Sequence, residues 1–208
     1  MRFESAQWWI GTAFAANLFL AAIILFSRGA GVHGTETALV ATARAAFPWF
    51  WTAYVGSALT TLFGPAFQPL KRHGREFGLA FAAAILVHIL LVGWLCWIGS
   101  APGKNVFILF GTAAAVSFLL AGFSIGNLQA ALGQKMWQLL RAIGMNFILY
   151  AFLTDFVQIP SQASNLQLIE YLFFAAMAIA APLLRLAAWG FKIASSRSIA
   201  TRRIGHSG

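Results

Sequence analysis

Charged residues make up only 9% of this 208-residue chain, against roughly 25% in a soluble domain. That is too few to coat a water-exposed surface of this size, which excludes a soluble enzyme. The 60% apolar content excludes a disordered or fibrous chain. Cysteine is nearly missing. Cys96 alone excludes a disulfide framework and any cysteine-based zinc or iron–sulfur site. No G-x-G-x-x-G opens a βαβ unit, and no residues are left over to build one, so neither a flavin nor an NAD domain is expected. What the chain has in quantity is long apolar runs, with a mean hydropathy of +0.78. An integral membrane protein is the class that remains.

A hydrocarbon core about 30 Å thick takes roughly 20 apolar residues of helix, because a helix satisfies its own backbone. Six stretches qualify: residues 8–26, 47–67, 77–98, 106–125, 142–159 and 168–189. None alternates with the period of two that a barrel strand requires. The expected fold is all-α, a bundle of six transmembrane helices over residues 1–193, followed by a basic cytoplasmic tail, 194–208. The longest loop, residues 27–46, is too short for a domain of its own. The first run is longer than a signal-peptide core, and no small-x-small cleavage site follows it, so it is read as a span.

Charge placement gives an orientation. Six spans put both termini on one side, with Arg2, Lys71, Arg72, Arg75, Lys135, Arg141, Lys192, Arg197, Arg202 and Arg203, ten basic residues. The other side holds three, Arg28, Arg44 and Lys104. Positive loops stay cytoplasmic, so both termini are expected inside, in a bacterial inner membrane. The net charge of +9 then suits anionic lipid headgroups. Its scatter over short loops argues against nucleic acid. Tryptophans fit the same scheme, with Trp8, Trp9, Trp137 and Trp189 at inner ends and Trp49, Trp51, Trp94 and Trp97 at outer ends. Residues 128–141 are amphipathic and are expected to lie along the inner interface. Gly122 and Gly126 form a GxxxG pair suited to a close helix crossing, and Pro182 is expected to kink the last span.

Few polar groups fall inside the spans. Arg185 can snorkel to the inner interface, and Glu170 lies at the outer one. Asp155 lies toward the outer end of span five, where Asn146, Tyr150 and Thr154 add polarity. His88 is deeper, about 11 residues or roughly 16 Å from the inner end of its helix. It reads as a neutral histidine bonded across helices, as an axial haem ligand or as a proton relay.

The stretch Arg75-Glu76-Phe77-Gly78-Leu79, with His88 ten residues after the glycine, resembles the ferric-reductase-like transmembrane superfamily. It is most similar to the haem-binding membrane subunit of the bacterial methionine-sulfoxide reductase system. Ala58-Leu59-Thr60-Thr61-Leu62, Leu119-Leu120-Ala121-Gly122-Phe123-Ser124, Leu132-Gly133-Gln134-Lys135 and Trp137-Gln138-Leu139 extend the likeness over residues 47–155. The resemblance implies haem b held by histidines of the third and fifth helices, with electrons from a quinone or a redox partner protein. His88 matches the third-helix ligand to haem iron. The fifth-helix histidines fall at Arg141 and Thr154, neither of which replaces imidazole. Thr154, Asp155, Arg75 and Arg141 are then candidates for groups around the haem, and Asp155 for a hydrogen bond to His88. Met145 lies roughly 13 Å along the axis from Thr154 and is out of reach of His88.

Three functions follow. One is a haem-b electron-transfer subunit without catalytic residues of its own. Another is a haem-free relative acting as a membrane scaffold or assembly subunit. The third is a small transporter using His88, Asp155 and Glu170.

Overall fold

The computed structural model describes residues 2–125, 132–158 and 164–204, with side chains over 6–125, 132–158 and 164–195. Among them there is no strand. The helices are α1 (Arg2–Arg28), α2 (Val32–Phe63), α3 (Gln68–Arg72), α4 (Gly74–Trp97), α5 (Lys104–Ile125), α6 (Gln134–Val157) and α7 (Asn165–Ile204), with a 3-10 turn at Pro65–Phe67. The all-α bundle is as expected. Five helices, α1 and α4 to α7, are long and apolar enough to cross a membrane. Many of their large side chains, among them Phe19, Phe26, Leu90 and Phe173, face outward, as a lipid-facing surface requires.

The second expected span is the one that moves. Residues 27–46 are not a loop. Only Gly29 to Gly31 separate α1 from α2, with Gly29 at a positive φ of 85° that favours glycine. α2 therefore starts about fifteen residues earlier than residue 47 and ends at Phe63, so Phe67 falls in the 3-10 turn. Two contacts give its level. Trp94 Nε1 donates to the Ala30 carbonyl at 2.9 Å, just before α2. Near the other end of α4, a Cβ on Gly56 would come within 3.0 Å of the Leu70 carbonyl oxygen. Residues 32–56 of α2 thus run beside the whole of α4. We call the end holding the start of α1 and of α4 the lower end, and the end at Trp94 the upper one.

The segment read as a loop because of its hydroxyls and charge. Its hydroxyls are absorbed locally: Thr35, Thr37 and Thr42 donate to the carbonyls of Gly31, His33 and Ala38 at 2.8–2.9 Å. α2 packs against α1, α4 and α7. Thirteen of its residues are buried, Thr35 and Thr42 among them. A helix enclosed by others needs no lipid-facing apolar surface, so its hydropathy is low although its position is central.

The core follows from that position. Phe47, Phe50, Tyr54, Phe81, Phe152 and Phe156 form one buried cluster joining α2, α4 and α6, with Ala178 and Ala181 of α7 against it. A smaller cluster of Ala21, Ala38, Val87 and Leu91 joins α1, α2 and α4 toward the upper end.

Other expectations change with the register. Trp49 does not sit at an outer end. Its ring lies 5.8 Å from Trp9 and 6.1 Å from Phe77, in the lower half. Trp51 donates Nε1–H to the Met177 carbonyl inside the bundle at 2.9 Å. Residues 134–141 are not a separate interfacial helix, since α6 runs unbroken from Gln134 to Val157; residues 126–131 lie outside the described residues, and Gly126 with them. Gly122 faces open space. The close approach of α5 and α6 falls on Gly144, whose added Cβ would meet Val116 at 2.9 Å and Leu120 at 3.0 Å. Pro182 lies within α7, and α7 continues through residue 194 to Ile204, so the boundary expected at 193 is inside a helix.

Candidate functional site

Among the described residues, three polar places hold most of the residues singled out by sequence. At the first, His88 of α4 points its Nδ1 at Thr42 Oγ1 on α2, 3.3 Å away. The Leu39 backbone also lies within reach of the ring. The Thr42 hydroxyl spends its own proton on the Ala38 carbonyl. Its oxygen can then accept from Nδ1–H in the tautomer that leaves Nε2 unprotonated. Sequence reasoning missed Thr42 because it fell in the supposed loop.

A haem on His88 would need room between α4 and α6 and a ligand opposite. The rings of Phe50, Phe81 and Phe152 fill the space where α2, α4 and α6 meet, with centroids 5.2–5.9 Å apart, Phe81 lying about two helical turns below His88. Thr154 of α6 turns its hydroxyl to the Tyr150 carbonyl at 2.8 Å. A two-ligand haem needs a second axial ligand, and the fifth-helix positions are Arg141, in the lower cavity, and Thr154, whose hydroxyl is turned to its own helix. Among the described residues no three His, Cys, Asp or Glu come together as a metal site.

The second place is at the upper end, where α2, α6 and α7 meet. Arg44 Nη1 lies 2.6 Å from Glu170 Oε2. The guanidinium also covers the Tyr171 ring, 4.4 Å from its centroid. The Arg44 side chain is 12% exposed and Glu170 44%, so the arginine is the buried partner. Asp155 lies within the field of Arg44, not against His88. The expected set of His88, Asp155 and Glu170 is therefore split: Glu170 pairs with Arg44, Asp155 lies within reach of the same charge, and His88 meets Thr42 across the α2–α4 pair.

The third place is at the lower end, a cavity of about 210 Å³ among α2, α4, α5 and α6. Its lower wall holds Arg75, Ser124, Trp137 and Arg141. Its upper wall holds Phe50, Phe81, Leu120, Met145 and Ile148, while His88 is not part of the lining. Arg75 donates Nη2–H to the Ser124 carbonyl at 2.8 Å, capping the last turn of α5. Arg141 has no hydrogen-bond or carboxylate partner among the described residues. Arg185 of α7 stacks over the Tyr54 ring at 4.5 Å and lies close enough to Arg141 for the two charges to repel. Tyr54 in turn donates to Asn146 Oδ1 at 2.6 Å. Of the residues singled out by sequence, the fold brings together Arg75 and Arg141. Arg185, read as merely snorkelling, joins them.

No family model matches this chain, and no curated protein or solved structure matches it either.

Proposed function

We propose that this chain is a haem-free membrane scaffold subunit that crosses the bacterial inner membrane six times with both termini in the cytoplasm. Five crossings correspond to the apolar helices. The sixth is α2, supported by its run alongside α4, its absorbed hydroxyls and the pairing of its one arginine within that run, Arg44, with Glu170. The lower end, with Arg75, Arg141 and Arg185, faces the cytoplasm under the positive-inside rule. A relation to the ferric-reductase-like superfamily belongs to this reading, with the redox centre lost.

The observation that carries it is the aromatic filling where α2, α4 and α6 meet, with no histidine at the fifth-helix positions. Phe152 contacts Phe47, Phe50, Phe81 and Phe156, all with ring centroids within 6 Å. Phenyl rings held by one another need no cofactor to close the gap. The second reading is a haem-b electron-transfer subunit working with a quinone or a redox partner protein. Thr42 favours it, since an imidazole with Nδ1–H held by a neighbour leaves Nε2 as a ligand.

One measurement separates the two. The full chain is purified in neutral detergent after expression with added haem precursor, and oxidised and dithionite-reduced spectra are recorded. The scaffold reading expects no Soret band in stoichiometric amount. A Soret band that shifts on reduction and disappears in His88→Ala would replace it with the electron-transfer reading.

A further inference from the structure

The lower cavity has two chemically different walls. Phenyl, leucine, methionine and isoleucine side chains close its upper part, and guanidinium groups, Ser124 and an indole close its lower part. Among the described residues Arg141 has no counterion, and Arg185 lies close enough to add a second positive charge. Two like charges at the edge of a low-dielectric bundle repel unless an anion sits between them or against them. Among the described residues no acid supplies one. Glu170 is taken by Arg44 at the opposite end, and Asp155 lies in the field of that same arginine. Glu76, although next to Arg75 in sequence, is not in the cavity lining.

We propose that this cavity binds the phosphate headgroup of one anionic phospholipid, held by Arg141 with Arg75 and supported by Arg185. A guanidinium fork matches a phosphate bidentately. Trp137, at the same level, is the side chain that prefers headgroup depth. A volume of about 210 Å³ is about seven times the share of one water in the liquid. That is room for a phosphate and the polar groups next to it, with the acyl chains remaining in the bilayer. The ligand neutralises a cavity wall that carries Arg75 and Arg141, with Arg185 nearby and no acid in the lining. It is independent of whether His88 carries haem, so the spectrum above and the test below fail separately.

The test uses the full chain in neutral detergent and native mass spectrometry, with phosphatidylglycerol, phosphatidylcholine and inorganic phosphate as probes. The expected result is one phosphatidylglycerol retained through delipidation, at an affinity at least tenfold above phosphatidylcholine. Arg141→Gln and Arg185→Gln should each weaken retention about fivefold, with Arg141→Lys losing less than Arg141→Gln. Lys104→Gln, at the opposite end, should retain the lipid as the parent does. Thermal unfolding without added lipid checks that each variant is folded, and Arg185→Gln serves if Arg141→Gln is not. Equal retention of the two lipids, or unchanged retention in both folded arginine variants, overturns the proposal. Displacement of the lipid by inorganic phosphate at equal concentration overturns the lipid assignment in favour of a free-anion site.

Discussion

Replacing Phe47 with alanine removes the ring on which three helices converge. Phe47 is fully buried. Its centroid lies 5.0 Å from Phe156, 5.1 Å from Phe152, 5.8 Å from Phe174 and 6.3 Å from Phe50. In a water-soluble core such a truncation costs about 3–5 kcal/mol, part of it transfer of the ring out of water. In a bilayer that part is small, because the separated helices still lie in hydrocarbon. The void remains. An unrelaxed space on the order of 100 Å³ at about 24 cal/mol per Å³ comes to about 2.4 kcal/mol. Loss of the ring contacts works in the same direction, and collapse of the neighbours into the space works against it. The expectation is a loss of about 2–3 kcal/mol. Phe63→Ala is the control, since Phe63 is 59% exposed and meets only the Phe67 ring; it should cost under about 0.5 kcal/mol. Both are measured by unfolding in mixed micelles with rising dodecyl sulfate, followed by far-UV circular dichroism. If Phe47→Ala unfolds within about 0.5 kcal/mol of the parent, the aromatic cluster is not what holds α2, α6 and α7 together.

Three further outcomes are expected. Gly144→Val should destabilise by about 1–3 kcal/mol through overpacking against Val116 and Leu120, while Gly122→Val, on open space, should be within about 0.5 kcal/mol; equal effects would remove the close α5–α6 approach. Arg44→Met should cost about 1–2 kcal/mol, below the value for a fully buried pair because Glu170 is partly exposed, and adding Glu170→Gln should restore part of the loss. In a Cys96→Ala background, an impermeant maleimide added to intact cells should label Val32→Cys and not Val40→Cys, whereas equal labelling would return residues 32–46 to a loop.

Five helices were legible because their apolar runs are long and carry few charges, and composition alone decides such cases. α2 was not, for a definite reason. Its first half carries Thr35, Thr37, Thr42 and Arg44, which a local reading assigns to water. What makes them tolerable is tertiary: carbonyls one turn back, a glutamate on α7 and a histidine on α4. The displacement of α2 also carried Trp49 from an expected outer end to the level of Trp9. Site residues divide the same way. The depth of His88 could be counted along its own helix, but its partner Thr42 could not. Arg75 and Arg141 were singled out one at a time; that they share a cavity wall, with Arg185 beside them, depends on how α4, α6 and α7 pack.

The length of α7 sets a distance that no other element has. Forty residues of helix span about 60 Å, against about 36 Å for the twenty-four of α4. Arg185 is still at the level of Tyr54. The nineteen residues beyond it, to Ile204, extend about 28 Å past the lower ring of arginines. This segment inherits its first turns from a packed helix, so it avoids the nucleation cost that makes a free helix of this length marginal. It also makes the bundle an outrigger. A bend of about 20° at Pro182, the usual site of a kink, would swing the far tip through roughly 11 Å, with the basic cluster of Arg197, Arg202 and Arg203 riding on it. Small rearrangements around α7 inside the bundle would thus be read out as large displacements at its far end.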